Sequence, residues 1–135
     1  MKIKLLRFSA SLIGPCRCHD NDAGADVYSP EQYLILPNTV LKIPLGFGVE
    51  IPDGYVGYVF PRSGLSAKGI VCQLPPIDSG YRGEIHAVVA NIGDRPYIIN
   101  KGDRIGQLVI MPVVIADFVP HLDERGTGAF GSTGK

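Results

Sequence analysis

No apolar stretch in this 135-residue sequence keeps a helical period for the ten or more residues that a helix of ordinary length needs. Short apolar or alternating runs recur instead, each closed by a turn signal. Leu36-Pro37-Asn38, Pro52-Asp53-Gly54, Ile92-Gly93-Asp94 and Asn100-Lys101-Gly102 mark the reversals, because proline presets φ while glycine and asparagine accept backbone conformations that other residues resist. The spacing predicts strands over Lys2–Phe8, Tyr33–Leu36, Thr39–Pro44, Gly48–Ile51, Tyr55–Phe60, Ile70–Leu74, Gly83–Asn91, Pro96–Ile99, Arg104–Met111 and Ala116–Val119. Many short strands at this spacing mean an all-β sandwich, jelly roll or barrel. The 17 glycines and 11 prolines are spread along the chain, as a turn-rich folded protein requires, and an apolar content of 45% supplies a core.

One segment breaks the strand pattern. Ser63-Gly64-Leu65-Ser66-Ala67-Lys68 reads as a single short helix with Ser63 as N-cap. A helix start just after Arg62 offers N–H groups and a cation to an anion; the alternative is an ordinary capped turn. Beyond Ile115 the pattern fades into a linker that delivers a glycine-rich end. The expected organisation is therefore one β domain over residues 1–120, followed by a linker and mobile C-terminal arm over residues 121–135.

Composition removes several function classes. Thirteen basic and thirteen acidic residues cancel, which argues against stable nucleic-acid binding or a membrane-surface role. No apolar run approaches the roughly 18 residues of a membrane span, and no signal-like segment opens the sequence, so a soluble cytoplasmic protein is expected. Cys16, Cys18 and Cys72 are odd in number and badly spaced for a disulfide framework. Cys16-x-Cys18-His19 falls short of a structural zinc site, which wants four ligands at wider spacing. None of His19, His86 and His121 has an identifiable serine or cysteine partner for a hydrolytic triad; His86 reads as a core-edge or interface residue, the others as loop residues.

Two segments carry chemistry. The first, Ile77-Asp78-Ser79-Gly80-Tyr81-Arg82-Gly83-Glu84, lies where a hairpin should turn. Asp78 at its base is either a turn-capping acid or a functional carboxylate. Tyr81, between Gly80 and Gly83, presents an aromatic where a flat ligand could approach the backbone. The second, Arg125 to Lys135, holds one aromatic, two cations and three hydroxyls on a flexible backbone. Gly126-x-Gly128-x-x-Gly131 fits a dinucleotide fingerprint and Ala129 onward begins like a Walker loop. Both patterns need a strand before and a helix after, and the sequence offers a linker before and no helix after. The arm is expected to be a lid.

Together, Ala23-Gly24-Ala25-Asp26-Val27, Arg62-Ser63-Gly64-Leu65-Ser66, Ile77 to Ile85, Gly102-Asp103-Arg104-Ile105-Gly106-Gln107-Leu108 and the Arg125 to Gly134 arm resemble, in order, the five motifs of the trimeric deoxyuridine triphosphatases, the dUTPases. The resemblance implies a distorted jelly roll that hydrolyses dUTP to dUMP and pyrophosphate, limiting uracil in DNA and supplying dUMP for thymidylate synthesis. It implies that Asp78 activates the attacking water and that Tyr81 stacks on the deoxyribose. The Ile70 to Tyr81 hairpin, with Gln73 and Ile77, would take the uracil. Arg62, Ser63, Gly64 and Gln107 would bind the phosphates. Asp26 would support Mg²⁺ through water, while Arg104 is either a supporting group or a paired arginine, and Asp103 a turn residue. In the arm, Phe130 would cover the base, with Arg125, Gly131, Ser132 and Thr133 at the phosphates. A homotrimer with shared sites is implied.

Cys72 and Pro75 stand where many relatives carry asparagine and glycine, which leaves Gln73 as the amide available to the base. Two other readings differ in class. The dCTP deaminases resemble the same fold but use a glutamate that would fall at Val88, and an apolar residue cannot shuttle a proton. The other is a nucleotide-sensing regulatory protein built on this fold.

Overall fold

The computed structural model describes residues 1–11 and 13–121. Its elements are β1 (Leu5–Arg7), β2 (Ala25–Tyr28), β3 (Tyr33–Ile35), β4 (Thr39–Pro44), β5 (Phe47–Val49), β6 (Tyr55–Phe60), α1 (Ser63–Ser66), β7 (Ile70–Cys72), β8 (His86–Asn91), β9 (Tyr97–Ile99) and β10 (Arg104–Pro112). All pairings are antiparallel. The strands form four small sheets in the orders β1-β5, β2-β10-β6, β3-β9 and β4-β8-β7. Most neighbours are far apart in sequence; the fold is all-β, as the strand pattern predicts, and of the jelly-roll kind that the motif resemblance implies.

Alternation places the core. Along β2 the burial repeats every second residue, sending Ala25 and Val27 inward and Asp26 and Tyr28 outward. Val27, Ile43, Phe47, Ile70, Ile85, Val89, Ile99 and Ile105 join in one shared cluster of buried side chains. Asn91, also buried, is fully committed there: its amide donates to the carbonyls of Ile35 (3.0 Å) and Arg95 (2.8 Å), and its Oδ1 accepts from Gly93 N–H (2.9 Å). A buried amide satisfied on both ends costs little and pins the loop after β8. That loop passes so close to Gly69 that an added Cβ would lie 2.9 Å from the Gly93 nitrogen, and Gly69 holds φ +85°. Both facts require glycine there.

Three expectations change. The predicted strand Ala116–Val119 is absent; the segment runs outside regular structure with Phe118 89% and Val119 80% exposed, since no strand of the described residues lies beside it. β2 was not among the predicted strands, because four residues with an aspartate in the middle give too short an alternation to stand out. The helix forms, but Arg62 is its N-cap (φ −89°, ψ 139°) and no side chain caps it. Ser66 N–H closes the first helical bond on the Arg62 carbonyl (2.9 Å), which moves Ser63 into the first turn. No helix among the described residues is long and apolar enough to cross a membrane.

Candidate functional site

Asp78 is placed by backbone on both sides. Before it, Ile77 exchanges two hydrogen bonds with Gly57 of β6 (2.8 and 3.0 Å). After it, Tyr81 N–H closes a turn on the Asp78 carbonyl (3.1 Å). The carboxylate takes no part in that turn. It is exposed, lines a cleft of about 210 Å³, and has no hydrogen-bond partner among the described residues. The turn-capping alternative is thereby removed: the main chain makes the turn, and the acid is left facing solvent.

The cleft opens because β7 and β8 separate. Gln73 N–H donates to the Val88 carbonyl (2.8 Å), one residue past Cys72↔Val89. Groups two residues apart on a strand point the same way, so the N–H and C=O of His86 face the widened gap as those of Val88 face Gln73. The floor of the cleft carries Gln73, Ile77, Asp78 and Tyr81, bringing four of the sequence-predicted residues together. Lys42 of β4 with His86 and Val88 of β8 line the same cleft. Lys42 and His86 were not among the expected site residues. Their signal is the alternation of β4 and β8, which turns both outward once Ile43 and Ala87 are recognised as core.

Gly83 has a different reason from close approach of a ligand. The Tyr81 ring lies against it, leaving no room for a Cβ, and the phenol donates to the Glu84 carbonyl (2.7 Å). Gly80, by contrast, faces open space. Glu84 is tied to the barrel by Gly46 N–H, which donates to its carboxylate (2.9 Å).

Cys72 does not line this cleft. Its Sγ is directed at the Ile105 carbonyl (3.8 Å), on the other side of β7 from Gln73. Burial pushes the thiol up to about 11 from an ordinary 9.0. It therefore stays protonated in the folded protein at a pH where the unfolded chain ionises. The resulting stability is complete below about pH 9 and is lost as pH rises through about 11. Melting temperatures followed across that interval should fall more steeply for the wild type than for Cys72→Ala; parallel curves would remove the thiol as the cause.

The phosphate-binding candidates sit elsewhere. Arg62, Gly64 and Arg104 line a second cleft of about 450 Å³, with Lys68 in the same wall. Ser63 and Gly64 are exposed at the helix start. Gln107 reaches this neighbourhood through its side-chain amide, which donates to the Pro61 carbonyl (3.0 Å).

A bulge arranges the outward groups of β10. Arg104 pairs with Tyr28 and Gln107 with Asp26, with the register shifting between Arg104 and Gly106. Three residues of plain strand would put Arg104 and Gln107 on opposite faces. The extra residue puts both on the outer face, beside the outward Tyr28 and Asp26. Arg104 Nη1 lies 3.4 Å from Asp26 Oδ2, and that hydrogen bond and charge hold the guanidinium above its ordinary value. Arg104 is therefore ion-paired with Asp26 while also lining the second cleft. Asp103 is a turn residue, its Oδ2 accepting from Asn100 N–H (2.8 Å).

Asp26 is the lone carboxylate at its place, flanked by Arg104 and by the Cys18 thiol (3.6 Å). Among the described residues no three potential ligands gather to hold a metal. A single carboxylate does not make a protein cage for a metal, and could only support a hydrated ion through its waters. Arg125, Phe130, Gly131, Ser132 and Thr133 lie outside the described residues.

The family model for dUTPase matches residues 11–134. The deoxyuridine 5'-triphosphate nucleotidohydrolase of Clostridium tetani is 43% identical over 100% of this chain and 97% of its own length. That of Leifsonia xyli is 45% identical over 89% of this chain and 84% of its own. Among solved structures, a mutant dUTPase from phage phi11 of Staphylococcus aureus, described with a structural Mg(II) ion, superposes with TM-score 0.83 at 28% identity, covering 93% of this chain and 99% of that one. A mutant dUTPase of Staphylococcus bacteriophage 80alpha with dUpNHpp gives TM-score 0.81 at 29% identity over 99% of both chains. On the match across residues 11–134 and the near full-length identity above 40%, this chain belongs to the dUTPase family.

Proposed function

We propose that the chain converts dUTP and water to dUMP and pyrophosphate, with Asp78 as general base. The observation that carries this is the Asp78 carboxylate itself, held from both sides by main-chain bonds, open to a cleft, and unused in any internal hydrogen bond among the described residues. A carboxylate so held can take the proton of a water placed in line with the α-phosphorus. The water oxygen forms the new P–O bond, and the bond from the α-phosphorus to the bridging oxygen of the β-phosphate breaks.

Tyr81 stacks on the deoxyribose, and the uracil enters the gap between the separated strands. There it meets backbone N–H and C=O groups, with the Gln73 amide at the edge. Such a site rejects cytosine because its own donors and acceptors would be left unpaired. Val88 gives the same cleft an apolar side chain, which disfavours the deaminase chemistry that a glutamate there would serve.

Arg62, Ser63, Gly64 and Gln107 bind the phosphates. Asp26, through water, supports a magnesium ion that supplies neutralisation of the triphosphate charge when bound. The nucleoside and phosphate groups occupy separate clefts of one chain, which supports a complete site assembled between subunits of a homotrimer. The apolar segment with Val114 86%, Ile115 80% and Phe118 89% exposed supports the same assembly, since it needs a cover that the described residues do not supply. The Arg125 to Lys135 arm closes over a neighbour's pocket, with Phe130 on the base and Arg125, Gly131, Ser132 and Thr133 toward the phosphates.

Pyrophosphate release measured in parallel from dUTP, dTTP, dCTP and UTP tests the reading. Turnover of dUTP alone is expected. Equal turnover of all four would sink the specificity, and ammonia from dCTP would return the deaminase.

A further inference from the structure

The turn that starts at Asp78 and ends at Tyr81 is closed by one main-chain bond, from Tyr81 N–H to the Asp78 carbonyl (3.1 Å). Type I and type II turns both make that bond and differ by a half-rotation of the central peptide, here the one joining Ser79 to Gly80. The closing bond therefore does not choose between them. Nor does Gly80, because a glycine in the third place accepts the positive φ of type II as readily as the negative φ of type I. In the structure Gly80 is outside the positive-φ region, so the turn is not in the type II form.

The choice falls to Arg82. Its Nη1, which carries two hydrogens, donates to the Ser79 carbonyl and to the Tyr81 carbonyl (3.2 Å). The rest of the central peptide is unrestrained: its other polar group, the Gly80 N–H, has no main-chain partner among the described residues. Ser79 Oγ is tied to Asp53 Oδ1 (3.3 Å), which anchors the side chain and leaves the carbonyl to the guanidinium. A half-rotation of the peptide would carry the Ser79 carbonyl away from Arg82 and break that bond.

We infer that Arg82 is a positioning residue for Asp78, holding the turn in one form so that the carboxylate keeps one direction toward the cleft. The Asp78 side chain has no hydrogen-bond partner of its own among the described residues, so its direction comes from the backbone that bears it. A group that must take a proton in line with a reacting centre tolerates an error of only about 0.5 Å, and a turn that swings between two forms gives its first residue no such constancy. The inference rests on the proposed reading of Asp78 as the base for dUTP hydrolysis.

The experiment measures kcat for dUTP with Mg²⁺ and the affinity for dUpNHpp, on the full chain. Wild-type turnover of dUTP that Asp78→Asn slows at least about a hundredfold establishes the underlying reading; without it that reading fails before Arg82 is considered. Given it, Arg82→Met should lower kcat about three- to tenfold, the factor that one hydrogen bond represents, with the affinity for dUpNHpp unchanged. Gly80→Ala separates the turn from other causes. Its Cβ would meet nothing within 4 Å, and alanine resists the positive φ that type II needs. Alone it should leave kcat unchanged; added to Arg82→Met it should recover about two- to fivefold, which neither a lost charge nor a lost substrate contact would allow. In the Asp78→Asn background Arg82→Met should cause no further loss, because its effect passes through the carboxylate. An unchanged kcat in Arg82→Met, no recovery with Gly80→Ala, or a full further loss beside Asp78→Asn would each overturn the assignment. Weaker dUpNHpp binding with kcat intact would make Arg82 a substrate contact and overturn it too.

Discussion

Asp78→Asn is expected to fold, assemble and bind dUTP like the wild type while turning it over about a hundred- to ten-thousandfold more slowly, the range that a positioned general base contributes. The amide keeps the size and shape of the carboxylate but cannot accept the proton of the attacking water. Folding should be indifferent to the change, because the Asp78 side chain is exposed and the turn around it is closed by main-chain groups. Single-turnover rates, nucleotide affinity and melting temperature measured together separate chemistry from binding and stability. Near-normal kcat in this variant would reject the general-base role outright. Weak binding with a normal chemical rate would instead move Asp78 from proton transfer to substrate placement.

Removal of Arg125 to Lys135 is the second change with a large expected effect. The deletion should leave a folded trimer with the melting temperature of the full chain and a kcat/KM for dUTP reduced at least about a hundredfold, the scale on which loss of groups that position a substrate is felt. The proposed contributions are cover for the base from Phe130 and phosphate contacts from Arg125, Ser132 and Thr133. A lid also excludes water, which strengthens every charge contact to the triphosphate. Sedimentation analysis alongside kinetics makes the outcome decisive. A truncated trimer with full kcat/KM would remove the lid, whereas loss of the trimer itself would assign the arm to assembly.

The legible part of this molecule is the part governed by local chemistry. Thr39–Pro44 and Tyr55–Phe60 form strands with the predicted limits, because alternation and flanking turn residues both mark them. Gln73, Ile77, Asp78 and Tyr81, named through the motif resemblance, line one cleft because one short connection carries them all. Ser63 was misplaced as a cap, since the carbonyl that closes the first helical bond belongs to Arg62 and a serine beside it leaves no sequence trace of that choice. Lys42 and His86 stayed hidden because a lone lysine and a lone histidine on alternating strands look like any solvated face until the strands are paired.

By itself the sequence determined the all-β class, the turns, and the segments that carry chemistry, since periods of two residues and the conformational limits of glycine and proline act over a few neighbours. Only the tertiary structure decided which of those segments share a surface. It paired β4 with β8 so that Lys42 faces the Asp78 cleft, and it inserted the bulge in β10 that turns Arg104 and Gln107 to one side. It also freed the Asp78 carboxylate by letting the main chain make the turn. Those outcomes depend on register between strands many residues apart, and a shift of one residue in register reverses every side chain on a strand.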